Sequence, residues 1–167
     1  MASEEKNQSN IINSELNLNY NKYLFADKPI NRIKTKPKVE DKSTKLDQLR
    51  NEIEKIENCE LKKNASKIVF SDGDNRSKIM IVGEGPGQKE DQEGKPFVGD
   101  AGLLLNKMLK SVNIERKDVY ITNVVNYRPP NNRKPEAVEI TKYSNFLRKH
   151  ISIINPKILI LMGSTAM

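Results

Sequence analysis

Residues 79–102 read IMIVGEGPGQKEDQEGKPFVGDAG. The apolar run Ile79-Met80-Ile81-Val82 has the length and character of a short buried strand. Behind it a glycine-rich loop carries acids at Glu84 and at Glu90-Asp91, presents the proline-stiffened aromatic Pro96-Phe97, and runs into a helix. Strand, Gly-rich turn and helix is how α/β folds build a pocket at a strand's carboxyl end. Glycines let backbone N–H groups approach a ligand closely. The acids set the loop apart from a simple phosphate cradle. A dinucleotide fingerprint would need a third glycine where Gln88 stands, and a P-loop would need a glycine where Lys89 stands. Both motifs fail on spacing.

Outward from this stretch the pattern repeats. A helix over about 101–112 would turn Leu104, Leu105, Met108, Leu109 and Val112 inward. A strand over Val119–Val125 ends in the loop NYRPPNNRKP. A helix over about 136–154 would bury Val138, Phe146, Leu147, Ile151 and Ile154, and Asn155-Pro156 stops it. A third strand, Lys157–Met162, meets Gly163-Ser164-Thr165, which reads as another helix cap. Upstream, Ser43 or Thr44 would cap a helix running to about Glu57, with Leu46, Leu49, Ile53 and Ile56 as its apolar stripe. A short strand at Ile68–Phe70 would close through the turn Ser71–Asp74. Apolar strands alternating with helices predict an α/β fold, a three-layer α/β/α arrangement around a parallel sheet. Right-handed crossovers would gather the strand-end loops on one edge.

The chain has 167 residues, 29 basic and 22 acidic, with a formal net charge of +7. Length predicts one domain plus a tail. Residues 1–42 are polar and form an expected disordered extension, with a possible docking helix near 18–25 and a linker at 33–42; residues 43–167 form the domain. The basic balance favours a polyanionic partner, nucleic acid first. One cysteine, Cys59, excludes an internal disulfide framework and a cysteine-only metal cluster within one chain. No stretch approaches the ~20 apolar residues of a membrane helix, and the N-terminus lacks a signal-peptide core. A cytoplasmic, monomeric protein is the expectation.

Four loop residues have two readings each. Phe97, between prolines and glycines, could stack on a nucleobase or plug the core. Asn123, directly after the strand VYIT, offers the paired donor and acceptor of a base edge or simply forms a turn. Arg128 and Arg133, flanking Pro-Pro-Asn-Asn, suit phosphate contact or lie in a solvated loop.

Taken together, GEGPGQKED, GKPFVGDAGLLL, VYITNVV and RPPNNRKP, in this order and spacing, resemble the family-four type of uracil-DNA glycosylase. The likeness covers residues 45–167 and is similar in particular to a bacterial subgroup with a long N-terminal extension. It implies base excision repair on uracil-containing DNA. It implies Glu84, Glu90 and Asp91 as the acids of the first active-site motif. Gly85, Pro86 and Gly87 would be the backbone against the flipped base, Phe97 the aromatic stacking on uracil, and Asn123 the amide reading its edge. Arg128 and Arg133 would sit on the DNA-facing loop.

Two departures accompany the resemblance. The family commonly holds an iron–sulfur cluster on four cysteines. Here Cys59 matches one ligand, Ile56 and Tyr127 stand at two others, and Tyr143 or Ser144 near the fourth. One thiolate cannot hold such a cluster, so no metal or cofactor is expected and Cys59 is expected as a buried core thiol. The family also continues past the GSTA segment with a helix, a strand and a His-Pro-Ser motif. The sheet is therefore expected to be incomplete at its C-terminal edge, and His150, in a helix, to be a surface residue. The alternative to a working glycosylase is a catalytically dead or degraded remnant that at most binds nucleic acid.

Overall fold

Strand β2 (Ile79–Gly83) is an inner strand of the sheet, and all of it past Ile79 is buried. The computed structural model describes residues 41–167. β3 (Tyr120–Asn123), also wholly buried, lies on one side of β2, and β4 (Ile158–Leu161) lies on the other. Both pair parallel with it, Ile81 opposite Ile121 and Ile160. The sheet has the expected number of strands, but one of them is not the expected one. β1 (Asp72–Gly73) adds antiparallel to β3, giving the order β1-β3-β2-β4 and a mixed sheet. The pairing falls within the segment expected to be a turn. The expected strand at Ile68–Phe70 is instead extended chain tied down singly: Val69 N–H donates to the Asn126 carbonyl at 2.8 Å, and the Thr122 hydroxyl donates to the Phe70 carbonyl at 2.7 Å.

Alternation along β2 sorts the core into two layers. Met80 and Val82 face one side, where they join Leu46, Leu49 and Ile53 of α1 (Lys42–Glu54) and Tyr143 and Ile154 of α5 (Ala137–Ile154). Ile81 faces the other side, with Leu105 and Leu109 of α4 (Asp100–Ser111), Val119 and Ile121. The expected three layers are present. Two short helices, α2 (Glu60–Asn64) and α3 (Gln88–Glu93), fill in between.

Several local expectations change. α1 begins at Lys42 after an extended Asp41, so Ser43 and Thr44 lie inside its first turn and cap nothing; it ends at Glu54. α4 buries only Gly102, Leu105 and Leu109, whereas Leu104, Met108 and Val112 are more than half exposed. Val138 is exposed at the start of α5. Residues 163–166 form a bend and turn, not a helix. Asn155, at φ 48°, ends α5 before Pro156 as expected.

His150 is the largest departure. It is 1 % exposed, enclosed in the α5 layer. Its Nε2 lies 2.7 Å from the Tyr120 hydroxyl, and its ring packs 4.5 Å from that of Phe70. A polar residue occupies the inner line of α5 because a polar partner waits for it on β3. Burial drives its pKa down from 6.5 to about 4, so the ring is neutral at physiological pH.

The described residues begin at 41, so the expected docking helix at 18–25 and nearly all of the expected linker lie outside them. No helix among the described residues is long and apolar enough to cross a membrane.

Candidate active site

The carboxyl ends of β2, β3 and β4 come together as the crossovers require. Gly83 ends β2 in register with Asn123 at the end of β3. The pairing continues one step into the loops: Val124 N–H donates to the Gly83 carbonyl at 2.8 Å and Val125 N–H to that of Glu84 at 3.2 Å. Between them opens a cleft of about 320 Å³, lined by Gly83, Glu84, Gly85, Gly87, Phe97 and Asn123, with Glu90, Gly99, Asp100, Ala101 and Met162 completing the wall.

Gly83 decides what meets there. A Cβ on it would stand 2.6 Å from both Asn123 Oδ1 and Phe97 Cζ. No side chain fits, and the missing atom is what lets an amide and an aromatic ring converge on one point. Asn123 is 3 % exposed, held at the floor of the cleft. Phe97 is half-buried, with its backbone in the left-handed region at φ 52°. That conformation is unfavourable for a bulky residue, so the surrounding contacts must impose it.

The acids divide into three environments. Glu84 lines the cleft, where its Oε2 accepts a hydrogen bond from the Thr165 hydroxyl, bringing the third strand-end loop to the same point. Glu90 also lines the cleft, but its Oε1 accepts Val98 N–H at 3.0 Å and Gly99 N–H at 2.7 Å. It thereby satisfies donors at the start of α4, where a negative charge is favoured by the helix dipole. Asp91 points elsewhere. It is 3 % exposed and accepts Ser66 N–H at 2.9 Å and Lys67 N–H at 3.2 Å, tying α3 to the 66–67 segment. Of the three expected acids, two reach the cleft.

Gly85 and Gly87 reach it as well; Pro86 is buried beside it and is not part of the wall. A Cβ on Gly85 would meet Val125 Cγ2 at 2.8 Å, with Pro129 and Pro135 just beyond, so the RPPNNRKP loop packs against the glycine loop. The two arginines of that loop have partners in the loop and in α5. Arg128 Nε donates to Asn132 Oδ1 at 2.7 Å. Arg133 clamps Glu139 with two bonds of 2.8 and 2.7 Å, and this hydrogen bonding holds the Glu139 carboxyl below the usual range. Met162 and Asp100 are wall residues that the sequence did not single out as site residues; Met162 is the last residue of the third expected strand, which was the signal available.

The four positions that match cluster ligands do not fit an iron–sulfur cluster. Cys59, 6 % exposed, sits with its Sγ 3.3 Å from the Tyr143 hydroxyl. Tyr127 and Tyr143 are buried beside it, and Ile56 packs against the same core. Burial raises the Tyr127 phenol to about 12 and the Tyr143 phenol further, the latter with Cys59 as a second cause. An isoleucine and two phenols kept neutral by burial cannot stand in for the thiolates of an iron–sulfur cluster, and no group of three His, Cys, Asp or Glu among the described residues could hold a metal ion.

The three parallel strands of the sheet thus present a glycine loop, a loop aromatic, a buried amide and carboxylates at their carboxyl ends. Residues 70–167 match the uracil DNA glycosylase superfamily, and the chain belongs to it. Within it the chain is of the family-four type. It is 45 % identical over 115 residues to the type-4 uracil-DNA glycosylase of Thermotoga maritima, covering 69 % of this chain and 60 % of that one. It is 46 % identical over 119 residues to that of Sulfurisphaera tokodaii, covering 71 % and 54 %, and 42 % identical over 121 residues to that of Archaeoglobus fulgidus, covering 72 % and 61 %. The chain thus spans a little over half the length of these curated relatives.

Proposed function

We propose that this chain excises uracil from DNA by hydrolysing the N-glycosidic bond of a flipped deoxyuridine. The observation that carries the reading is the convergence of the Phe97 ring and the Asn123 amide on Gly83, with Glu84 at the rim. A base inside a duplex is out of reach, so it must be extruded at a cost of a few kcal/mol. Stacking on one aromatic returns about 1–3 kcal/mol. Asn123 supplies the donor and acceptor that match the uracil edge. As the C1′–N1 bond breaks, its electron pair leaves with uracil and positive charge grows on the sugar. Glu84 stabilises that charge or orients the water that adds to C1′, and the proton the water releases ends on the departing uracil anion. Glu90 serves as a structural carboxylate, holding the Val98 and Gly99 N–H groups and with them the entry to α4. Asp91 and Arg133 have no direct part in this scheme, because each is committed to partners within the protein, whereas Arg128 spends only its Nε on Asn132 and its Nη groups suit a DNA phosphate.

The net charge of +7 supports a DNA partner. A second reading, DNA binding without base release, is favoured by one observation: the histidine among the described residues, His150, is buried against Tyr120 and Phe70 and is not part of the cleft lining. Uracil release from a single-stranded oligonucleotide carrying one deoxyuridine separates the two. The expected outcome is release that Glu84→Ala reduces by about 10²-fold or more, the scale of losing one transition-state electrostatic group. Salt-sensitive DNA binding with no release, from protein that melts cooperatively, would establish the second reading instead.

A further inference from the structure

Phe97 holds an unfavourable backbone conformation, and a side chain outside the cleft accounts for it. Arg116 follows α4, just before β3, and its guanidinium is largely withdrawn from solvent. Nη2 donates to the Pro96 carbonyl at 2.6 Å, and Nη1 donates to the Phe97 carbonyl at 2.9 Å and to Asn106 Oδ1 at 3.2 Å. Nε donates to Asp72 Oδ2 at 2.8 Å, an ion pair with β1 at the far edge of the sheet. All three guanidinium nitrogens are therefore used, two of them on the consecutive carbonyls that flank the Phe97 backbone. Gly102 supplies the space, since a Cβ there would lie 1.9 Å from the Phe97 carbonyl oxygen. The ring is fixed from both ends, its tip against Gly83 and its peptide units by Arg116.

We propose that Arg116 is a positioning residue for base recognition, one that sets the direction of the Phe97 ring without touching the substrate. This rests on Phe97 acting as the stacking platform of the glycosylase reading. The role needs the planar fork of a guanidinium, since a lysine would bring one nitrogen to a site that uses three. Asp72 and Asn106 orient the fork, so a residue of β1 and one of α4 act on the cleft through it.

The test labels the protein with fluorophenylalanine. The chain has four phenylalanines, so four fluorine resonances report on it, and Phe97→Leu identifies the one of interest. In Arg116→Ala the Phe97 resonance is expected to move and sharpen while those of Phe70 and Phe146 stay in place. Guanidinium ions at low concentration are expected to reverse the change, and sodium at equal ionic strength is not. Uracil release should fall by roughly 5- to 150-fold, the range that loss of one base stack spans. On a Phe97→Ala background, adding Arg116→Ala should change release less than about twofold, since residues acting through one another are not additive. An unmoved Phe97 resonance, or equal losses on both backgrounds, overturns the proposal. A moved Phe97 resonance in protein that releases no uracil keeps the positioning role and refutes the glycosylase reading. Should Arg116→Ala fail to fold, Asp72→Asn keeps the guanidinium while loosening its anchor, and the same selective shift, smaller, is expected.

Discussion

Lowering the pH should weaken this fold through one residue. His150 is sealed between Phe70 and Tyr120, and burial depresses its pKa from 6.5 to about 4. The unfolded chain therefore binds a proton between these two values that the folded chain refuses. Stability from this group is complete above pH 6.5 and is lost progressively as the pH falls toward 4. At 1.36 kcal/mol per pH unit, the loss is about 2 kcal/mol by pH 5 and about 3 kcal/mol by pH 4. Against a typical stability of ~5–15 kcal/mol that is a large share. Urea unfolding of the wild type and of His150→Leu, at pH values from 7 to 4, isolates the effect. Other carboxylates titrate in both proteins, so the difference between the two curves belongs to the imidazole. The variant should be weaker at pH 7, because the Tyr120 hydroxyl loses its partner, and the gap should close as the pH falls. The chain has one histidine, so a single imidazole resonance reports its titration directly. A midpoint near 6.5, or parallel stability curves, would refute the reasoning.

Other outcomes follow from the site. Gly83→Ala places a Cβ 2.6 Å from Asn123 Oδ1 and Phe97 Cζ, which forces one of them about 1 Å aside; uracil release should drop about 10²-fold. Its destabilisation should stay within the ~1–3 kcal/mol of an overpacked core, and unimpaired release in a folded variant would contradict the convergence described. Protein purified without air should contain no stoichiometric iron by elemental analysis, and an iron chelator should leave its melting temperature unchanged, because Tyr143, Tyr127 and Ile56 fill the positions of the ligands. Iron at one cluster per chain would overturn that.

The fold was legible where apolar runs meet glycines. Ile79–Val82 followed by Gly83 announced both the central strand and the cleft above it, and the two later runs gave the strands beside it. α4 was misjudged in width: its sequence offers five apolar positions, but the sheet covers only the line through Gly102, Leu105 and Leu109. β1 was invisible because two residues paired to β3 carry no periodicity. His150 was misplaced for a related reason. Nothing local distinguishes a buried imidazole from a surface one when its partner, Tyr120, is 30 positions away. Within the site, Glu84, Phe97 and Asn123 could be found from motif and spacing. Asp91 stands beside Glu90 in sequence, yet the helical turn of α3 sends the two carboxylates to different neighbours. Arg116 could not be found, because its importance exists only once β1, α4 and the Phe97 loop have assembled around it.

The two faces of the sheet are unequally filled. The side of α1 and α5 gathers most of the buried apolar residues, whereas the side of α4 rests on Ile81, Leu105, Leu109, Val119 and Ile121. Local opening concentrates where apolar contact is sparse. The wall formed by Gly99, Asp100 and Ala101 belongs to that thinner layer, while the Asn123 floor belongs to the central strands and Arg116 pins the Phe97 backbone beside it. The cleft thus joins a soft wall to a hard floor: the wall can yield to admit a bulky group, and the floor keeps the pattern against which that group is read.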